Sequence, residues 1–449
     1  MGKKDVIVVG GGPTGIAASI AASRLGANAL LIERYGFLGG NATAGLVTHF
    51  DSIELMEITG IAKEIYEELK RRKAVKEFPI ERVEMPYTYH EAGCGFDPEI
   101  YKYVVMDLVE KERVNLLLHS FATGVIKEEN QIKGVIVHNK SGRQEIWGKV
   151  VVDATGDGDM AVSAGVPYEK GTEDGEMMSV SLCFTVGGVD TTKFMGYIKR
   201  NPEEVGYHPR LGKFIKNAHK SAVLQGFHKL IEEARKKSDL TIPLPEFGIG
   251  MALLPRKGEF HINATRTTNI DGTNTEDLTR AELSERKNVH HLLQFMRKYI
   301  PGFENAYILS TPVQIGVRET RRIKADYFLT LNDIRQARKF EDAIMQGRWA
   351  GSDIHSGNDM RWGFEIIEGP YQVPYRCLLP QKVENLLVGG RCIWVEREVL
   401  GSLRLMPQCM ATGQAAGVAA ALSVKLNRSV RQLKGQEIQR KLREQGVSI

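Results

Sequence analysis

Cysteine is scarce in this chain: Cys94, Cys183, Cys377, Cys392 and Cys409 are scattered over 449 residues without a CxxC pair. This excludes a CxxC dithiol and the common zinc and iron-sulfur ligand spacings, and an odd, dispersed set fits a reducing, cytoplasmic setting. Charge of one sign is also missing. The formal net charge of +5 is too dilute to argue for a nucleic-acid partner, and Lys70-Arg71-Arg72-Lys73 reads as the solvated end of a helix from Ile61 to Arg72. No apolar run suits a membrane. The longest uncharged stretch, Leu405 to Val424, contains Pro407, Gln408, Thr412, Gln414 and two glycines, so it reads as a loop followed by a buried helix. Met1 to Lys4 leave no room for a signal peptide before the first strand, and Val6 breaks the myristoylation pattern. A metal site is not expected either, because His290 and His291 have no acid or histidine at i+4 on their helix.

What is present is the fabric of an ordinary globular protein, 42% apolar and 26% charged, long enough for about two to three domains. Its clearest signal is Val6-Ile7-Val8-Val9-Gly10-Gly11-Gly12-Pro13-Thr14-Gly15, a strand-length apolar run that ends in glycines and opens an alanine-rich helix. Gly10 permits the tight turn, Gly12 lets backbone approach a pyrophosphate, and Gly15 allows helix to pack on strand. A helix N-terminus there favours an anion through its unpaired N–H groups and its dipole. A second strand, Ala29 to Ile32, closes on Glu33, placed where an acid meets ribose hydroxyls. Strand, helix, strand and terminal acid together predict a dinucleotide site. A second such unit is absent, since Gly248-Ile249-Gly250 lacks the third glycine.

Further along, Asp97-Pro98-Glu99 predicts a helix start, with Asp as cap and Pro at the first helical position, running to about Glu112. Strands are expected at Leu116–Leu118, Thr123–Lys127, Ile132–His138 and Gln144–Ile146 as a small antiparallel meander. Another apolar strand, Val150–Asp153, ends in the turn Ala154-Thr155-Gly156-Asp157-Gly158-Asp159. Alternation at Ser179–Val186 and Glu259–Ala264, with a helix from Thr279 to Tyr299, predicts a sheet-containing region. Late in the chain, Asn385 to Arg391 repeats the strand-then-glycine pattern, and Leu403 to Gly417 leads into a helix with a Gly413/Gly417 pair suited to close packing against a strand or cofactor.

An N-terminal GxGxxG, an Ala-Thr-Gly turn after a meander, and a C-terminal glycine and alanine helix together resemble the FAD_oxidored family of FAD-dependent oxidoreductases, within the glutathione-reductase-like superfold, over nearly the whole chain. The resemblance implies an α/β fold: a Rossmann-like FAD-binding domain with parallel sheet and antiparallel meander, assembled from 1–50, 96–165 and 380–449. A segment near the flavin (51–95) and a sheet-containing substrate domain (166–379) complete it. FAD contacts are then expected from Gly10, Gly12, Pro13, Thr14, Gly15, Glu33 and Arg34; from the second glycine loop at Gly39, Gly40, Asn41 and Thr43; and from Ala122. Ala154, Thr155, Gly156 and Asp157 belong to the same set, as do Gly390 and Arg391 near the ribityl chain and Met406, Thr412, Gly413 and Gln414 at the flavin edge. The stretch Trp394-Val395-Glu396-Arg397-Glu398 departs from the family's smaller, more neutral pattern.

Val317-Arg318-Glu319-Thr320-Arg321-Arg322, Ser352-Asp353-Ile354-His355 and Gly369 to Arg376 resemble further family motifs. Arg318, His355 and Arg376 are the candidate catalytic residues: two guanidiniums suited to an anion and one imidazole suited to proton exchange. Structural ion pairs are the competing reading for these side chains. The expected activity is hydride transfer between a small polar substrate, an anion among the candidates, and flavin N5, without nucleic acid, membrane or metal, in a protein for which a homo-oligomer is one of the states open. Two other readings stand beside it: a non-catalytic flavin or nucleotide-binding protein serving partner recognition, and an NAD(P)H-dependent reductase. A nucleotide-modifying enzyme would need a reactive cysteine, for which Cys94 and Cys409 are the candidates.

Overall fold

The computed structural model describes residues 2–50, 58–76, 94–205, 222–348 and 367–449, with 207–208, 213–214 and 351. Strand β1 (Lys4–Val9) turns through the glycines into helix α1 (Pro13–Arg24), and β2 (Ala29–Ile32) returns parallel to β1, with Val6 opposite Ala29. Helices α2 (Gly60–Arg71) and α3 (Pro98–Lys111) follow, the second capped by Asp97, whose carboxylate accepts from the amides of Glu99 and Ile100. The expected meander strand at Leu116–Leu118 is instead β3 (Asn115–Leu117), the parallel edge of the main sheet against β2. The antiparallel strands are β4 (Phe121–Glu128), β5 (Gln131–Asn139) and β6 (Gly142–Asp153).

Strand β6 corrects a second expectation. Gln144–Ile146 and Val150–Asp153 are one strand, whose first half pairs antiparallel with β5 and whose second half pairs parallel with β1. Nothing in Trp147-Gly148-Lys149 breaks it, and Gly148 keeps the join flat: a Cβ there would sit 2.6 Å from Ile7 Cδ1. The strand delivers the Ala154-Thr155-Gly156 turn beside Gly10, and helix α4 (Asp159–Ser163) continues from it.

A second sheet holds β7 (Phe184–Gly187), helix α5 (Thr191–Arg200), β8 (Val223–Gly226), helix α6 (His228–Lys236), β9 (Ile249–Leu253), β10 (Phe260–Asn263), helix α7 (Thr275–Tyr299) and β11 (Tyr307–Ser310) among its strands and covering helices. Its order is β8-β9-β10-β7-β11. Because side chains alternate across a strand, Phe184, Leu224, Met251, Leu253, Phe260 and Ile262 point into a core that they share with α5, α6 and α7. The opposite face carries Gln225, Ala252, His261 and Asn263, as the register of β8, β9 and β10 requires.

The chain closes on the first sheet. Strand β12 (Leu386–Val388) lies parallel to β6, and helix α8 (Met406–Leu426) packs along α1. Both helices are largely apolar and buried, as expected of helices surrounded by protein. Within the chain the Gly413/Gly417 pair packs against helix α1 and not against a strand: Cβ atoms there would lie 2.2 Å from Thr14 O and 2.0 Å from Ala18 O. Among the described residues no helix is long and apolar enough to cross a membrane.

Candidate active site

A cavity of about 710 Å³ runs from the glycine turn after β1 to the polar face of the second sheet. At the first end, each glycine of the turn has its own reason. Gly10 has φ +104° and a Cβ there would be 2.4 Å from Ala154 O, while a Cβ on Gly15 would be 1.7 Å from Gly10 O. Gly12 differs. Its Cβ would meet nothing nearer than Gly40 Cα at 3.8 Å, yet it caps α1 without any side-chain hydrogen bond and lines the cavity. The polypeptide does not demand glycine there; a group resting on the helix N-terminus would. This open cradle fits a dinucleotide pyrophosphate.

Glu33 lines the same end, buried at 8% exposure. Its carboxylate accepts from Gly11 N at 2.6 Å and Tyr35 N at 2.9 Å, two of the roughly four lone-pair sites a carboxylate offers. Burial raises its pKa, opposed by those two backbone bonds. Pro13, Thr14, Arg34, Gly40, Asn41 and Ala122 also line the cavity. Arg34 donates to Gln314, and Gln314 donates to Asn41 Oδ1 at 3.3 Å.

Ala154, Thr155, Gly156 and Asp157 form the facing wall. Behind them Asp153, fully buried, accepts from Thr155 N and Oγ1 and from Ala161 N, which ties the turn to α4. Burial pushes its pKa up to about 6 against those bonds. Arg391 lines the wall too: it pairs with Asp157 at 2.5 Å and donates to Gly156 O and Val317 O. Met406, with Pro407 and Cys409, brings the start of α8 to the cavity.

Other expected contacts stand behind this wall rather than on it. A Cβ on Gly39 would be 2.4 Å from Thr43 Oγ1, which itself donates to Leu38 O at 2.8 Å, so both shape the loop. Gly390 packs on Thr14 and donates its N–H to Thr412 Oγ1 at 3.0 Å. Gly413 is pressed on α1, and Gln414 accepts from Ile61 N at 3.1 Å. These residues set the spacing of β12, α8 and α1.

Of the candidate catalytic residues, Arg318 lines the cavity, donating to Ser179 O at 2.9 Å and Ser181 Oγ at 2.7 Å. His355 lies outside the described residues. Arg376 is not on the cavity wall: its side chain, 47% exposed, is paired with Asp342, which accepts from Nε at 3.0 Å and Nη2 at 3.2 Å. The nearby carboxylate has claimed it as a structural ion pair. The unusual stretch Trp394–Glu398 is likewise off the wall. Arg397 chelates the buried carboxylate of Glu319, which also receives Arg322 and Met178 N, and Glu396 accepts from Leu331 N.

Sequence reasoning missed most of the far wall. Ser181, Cys183, Gln225, Phe247, Asn263 and Arg266 line it, and period-two alternation was the signal available: Val180, Leu182 and Phe184 enter the core while Ser181 and Cys183 face the cavity. Burial pushes the Cys183 thiol up to about 11, with Arg318 and Arg266 pulling the other way. His49 also lines the cavity, its ring 4.8 Å from that of His261. Burial, then His49, hold His261 well below the usual histidine range.

A parallel sheet with a glycine turn, a buried acid at the end of its second strand and an open helix N-terminus define a dinucleotide-binding protein of the flavoenzyme type. The chain belongs to the FAD dependent oxidoreductase family (FAD_oxidored), which matches residues 5–442, and it is an enzyme that binds FAD. Among solved structures, p-nitrophenol 4-monooxygenase PnpA from Pseudomonas putida DLL-E4 is similar in fold at 11% identity and a TM-score of 0.50, covering 98% of this chain and 88% of its own. A geranylgeranyl bacteriochlorophyll reductase-like protein from Thermoplasma acidophilum aligns at 14% identity over 98% of this chain and 83% of its own, with a TM-score of 0.49. No curated protein matches the sequence.

Proposed function

We propose that this enzyme transfers a hydride between a small polar, anionic substrate and N5 of FAD, with FAD at the glycine end of the cavity and substrate at the sheet end. When bound, FAD supplies the two-electron chemistry, the substrate giving up a hydride and a proton. The chain's own residues do the rest. The Gly12 cradle and the free amides at the start of α1 would receive the pyrophosphate, and Glu33 the ribose hydroxyls. Asn41, Ala122, Gly156 and Met406 would line the path of the remainder. The N-terminus of α8 would offer its dipole to the edge of the ring where negative charge gathers on reduction. Arg318 would meet the anion of the substrate.

The observation that carries this reading is continuity: one cavity joins Gly12 to Arg318. Anaerobic mixing of the purified FAD-loaded protein with a panel of hydroxy acids, amino acids and NAD(P)H tests it through loss of flavin absorbance. Reduction by a panel acid supports the proposal. Reduction by NAD(P)H alone would favour a reductase, and no reduction by any compound would favour a non-catalytic flavin carrier.

A further inference from the structure

The far wall brings two guanidiniums to one hydroxyl. Ser181 Oγ accepts from Arg266 Nη1 and from Arg318 Nη1, each at 2.7 Å, so those two nitrogens lie at most 5.4 Å apart. The hydroxyl is also spent as a donor, on Thr265 O at 2.7 Å. It therefore cannot turn to greet a ligand; its work is to hold the two cations in register. Arg266 is 1% exposed, its Nη1 shares its two hydrogens among Ser181 Oγ, Asn263 Oδ1 at 3.1 Å and Thr265 O at 2.7 Å, and it lies beside the Phe247 ring, 5.4 Å from its centroid. Such a guanidinium has little freedom left to lose, and its planar fork suits two oxygens on one carbon. Glu285, on the packed helix, accepts from Leu182 N, Thr267 Oγ1 and Asn288, and its single negative charge offsets only part of the field of two guanidiniums.

Like charges held this close in a buried wall raise the affinity of the space before them for an anion. Ser181, Arg266 and Arg318 all line the cavity. We infer that Arg266 and Arg318, aligned by Ser181, form a carboxylate subsite, so the substrate class is a carboxylic acid anchored at the sheet wall with its oxidisable carbon toward the flavin. This deepens the hydride-transfer reading and rests on it for the word substrate, while the binding it asserts stands apart from turnover.

The test uses FAD-loaded protein titrated with lactate, succinate and benzoate, each beside its amide and beside sulfate, reading the perturbation of the flavin absorbance spectrum. At least one acid is expected to bind saturably and its amide not to. Arg266→Lys and Arg318→Lys should each raise the acid's Kd about tenfold or more without changing FAD stoichiometry. Ser181→Ala, which removes no charge, should weaken binding of the acid through loss of alignment, and it serves as the gentler variant should a buried Arg266 substitution not fold. Equal binding of acid and amide, sulfate binding as tightly as the acids, no perturbation by any of the three acids, or unchanged affinity in the variants would each overturn the subsite. Carboxylate binding without flavin reduction keeps the subsite and removes the hydride reading; reduction by a neutral compound with no acid binding does the reverse.

Discussion

Gly12 and Gly15 are three residues apart on one turn, and the structure separates their roles. A Cβ on Gly15 would lie 1.7 Å from Gly10 O, a backbone clash that no rotamer relieves, so Gly15→Ala should damage the fold itself. A Cβ on Gly12 has ordinary room, and with φ −74° and ψ −176° the backbone is one any residue adopts. In the apoprotein Gly12→Ala should therefore be nearly neutral: it gains about 0.4–1 kcal/mol from a stiffer unfolded chain and gives back a similar amount as a poorer helix cap. For FAD the order reverses. Gly12→Val fills the cradle, and losing two charge-assisted bonds of about 1.5–3 kcal/mol each weakens binding roughly 10²- to 10⁴-fold. Thermal unfolding of stripped protein, followed by fluorescence titration with FAD, reads both effects. Wild-type FAD affinity in Gly12→Val, or apoprotein Gly12→Ala destabilised as far as Gly15→Ala, would refute the argument.

Glu33→Ala should weaken FAD about ten- to a hundredfold and lower apoprotein stability as well, since Gly11 and Tyr35 amides lose their acceptor; an unchanged Kd on titration of apoprotein would place the ribose acid elsewhere. Asp153 bears on pH. Its folded pKa is raised from 3.8 to about 6, so its contribution is fully present below the unfolded value and is lost as pH rises through about 6, a change on the order of 3 kcal/mol. Denaturant unfolding between pH 4 and 7 should show this slope in wild type and not in Asp153→Asn, and parallel curves would count against it. Arg376→Ala should leave FAD binding and flavin reduction unchanged and cost at most about 1 kcal/mol, the worth of an exposed ion pair; a large fall in the rate of flavin reduction would return Arg376 to the site.

Local rules carried the nucleotide end of this protein. Strand, glycine turn, helix and terminal acid are consecutive in the chain, so their spacing alone announced β1, α1, β2 and Glu33, and Asp97-Pro98 announced α3 in the same way. Where residues far apart must meet, the chain was silent. Whether Gln144–Asp153 is two strands or one depended on β1 arriving to pair with its second half. Gly413 and Gly417 announced a close approach but not its partner, which the return of α8 onto α1 decided. Arg318 and Arg376 looked alike in sequence; Asp342, 34 positions away, removed one of them from consideration. The far wall drew Ser181, Arg266 and Arg318 together across 137 positions. Sequence determines which short stretches can turn, cap or alternate because those are local sterics and hydrogen bonds. Only the tertiary structure decides which charges are neutralised and which are held beside a cavity, because charge pairing and burial depend on neighbours that the order of residues does not reveal.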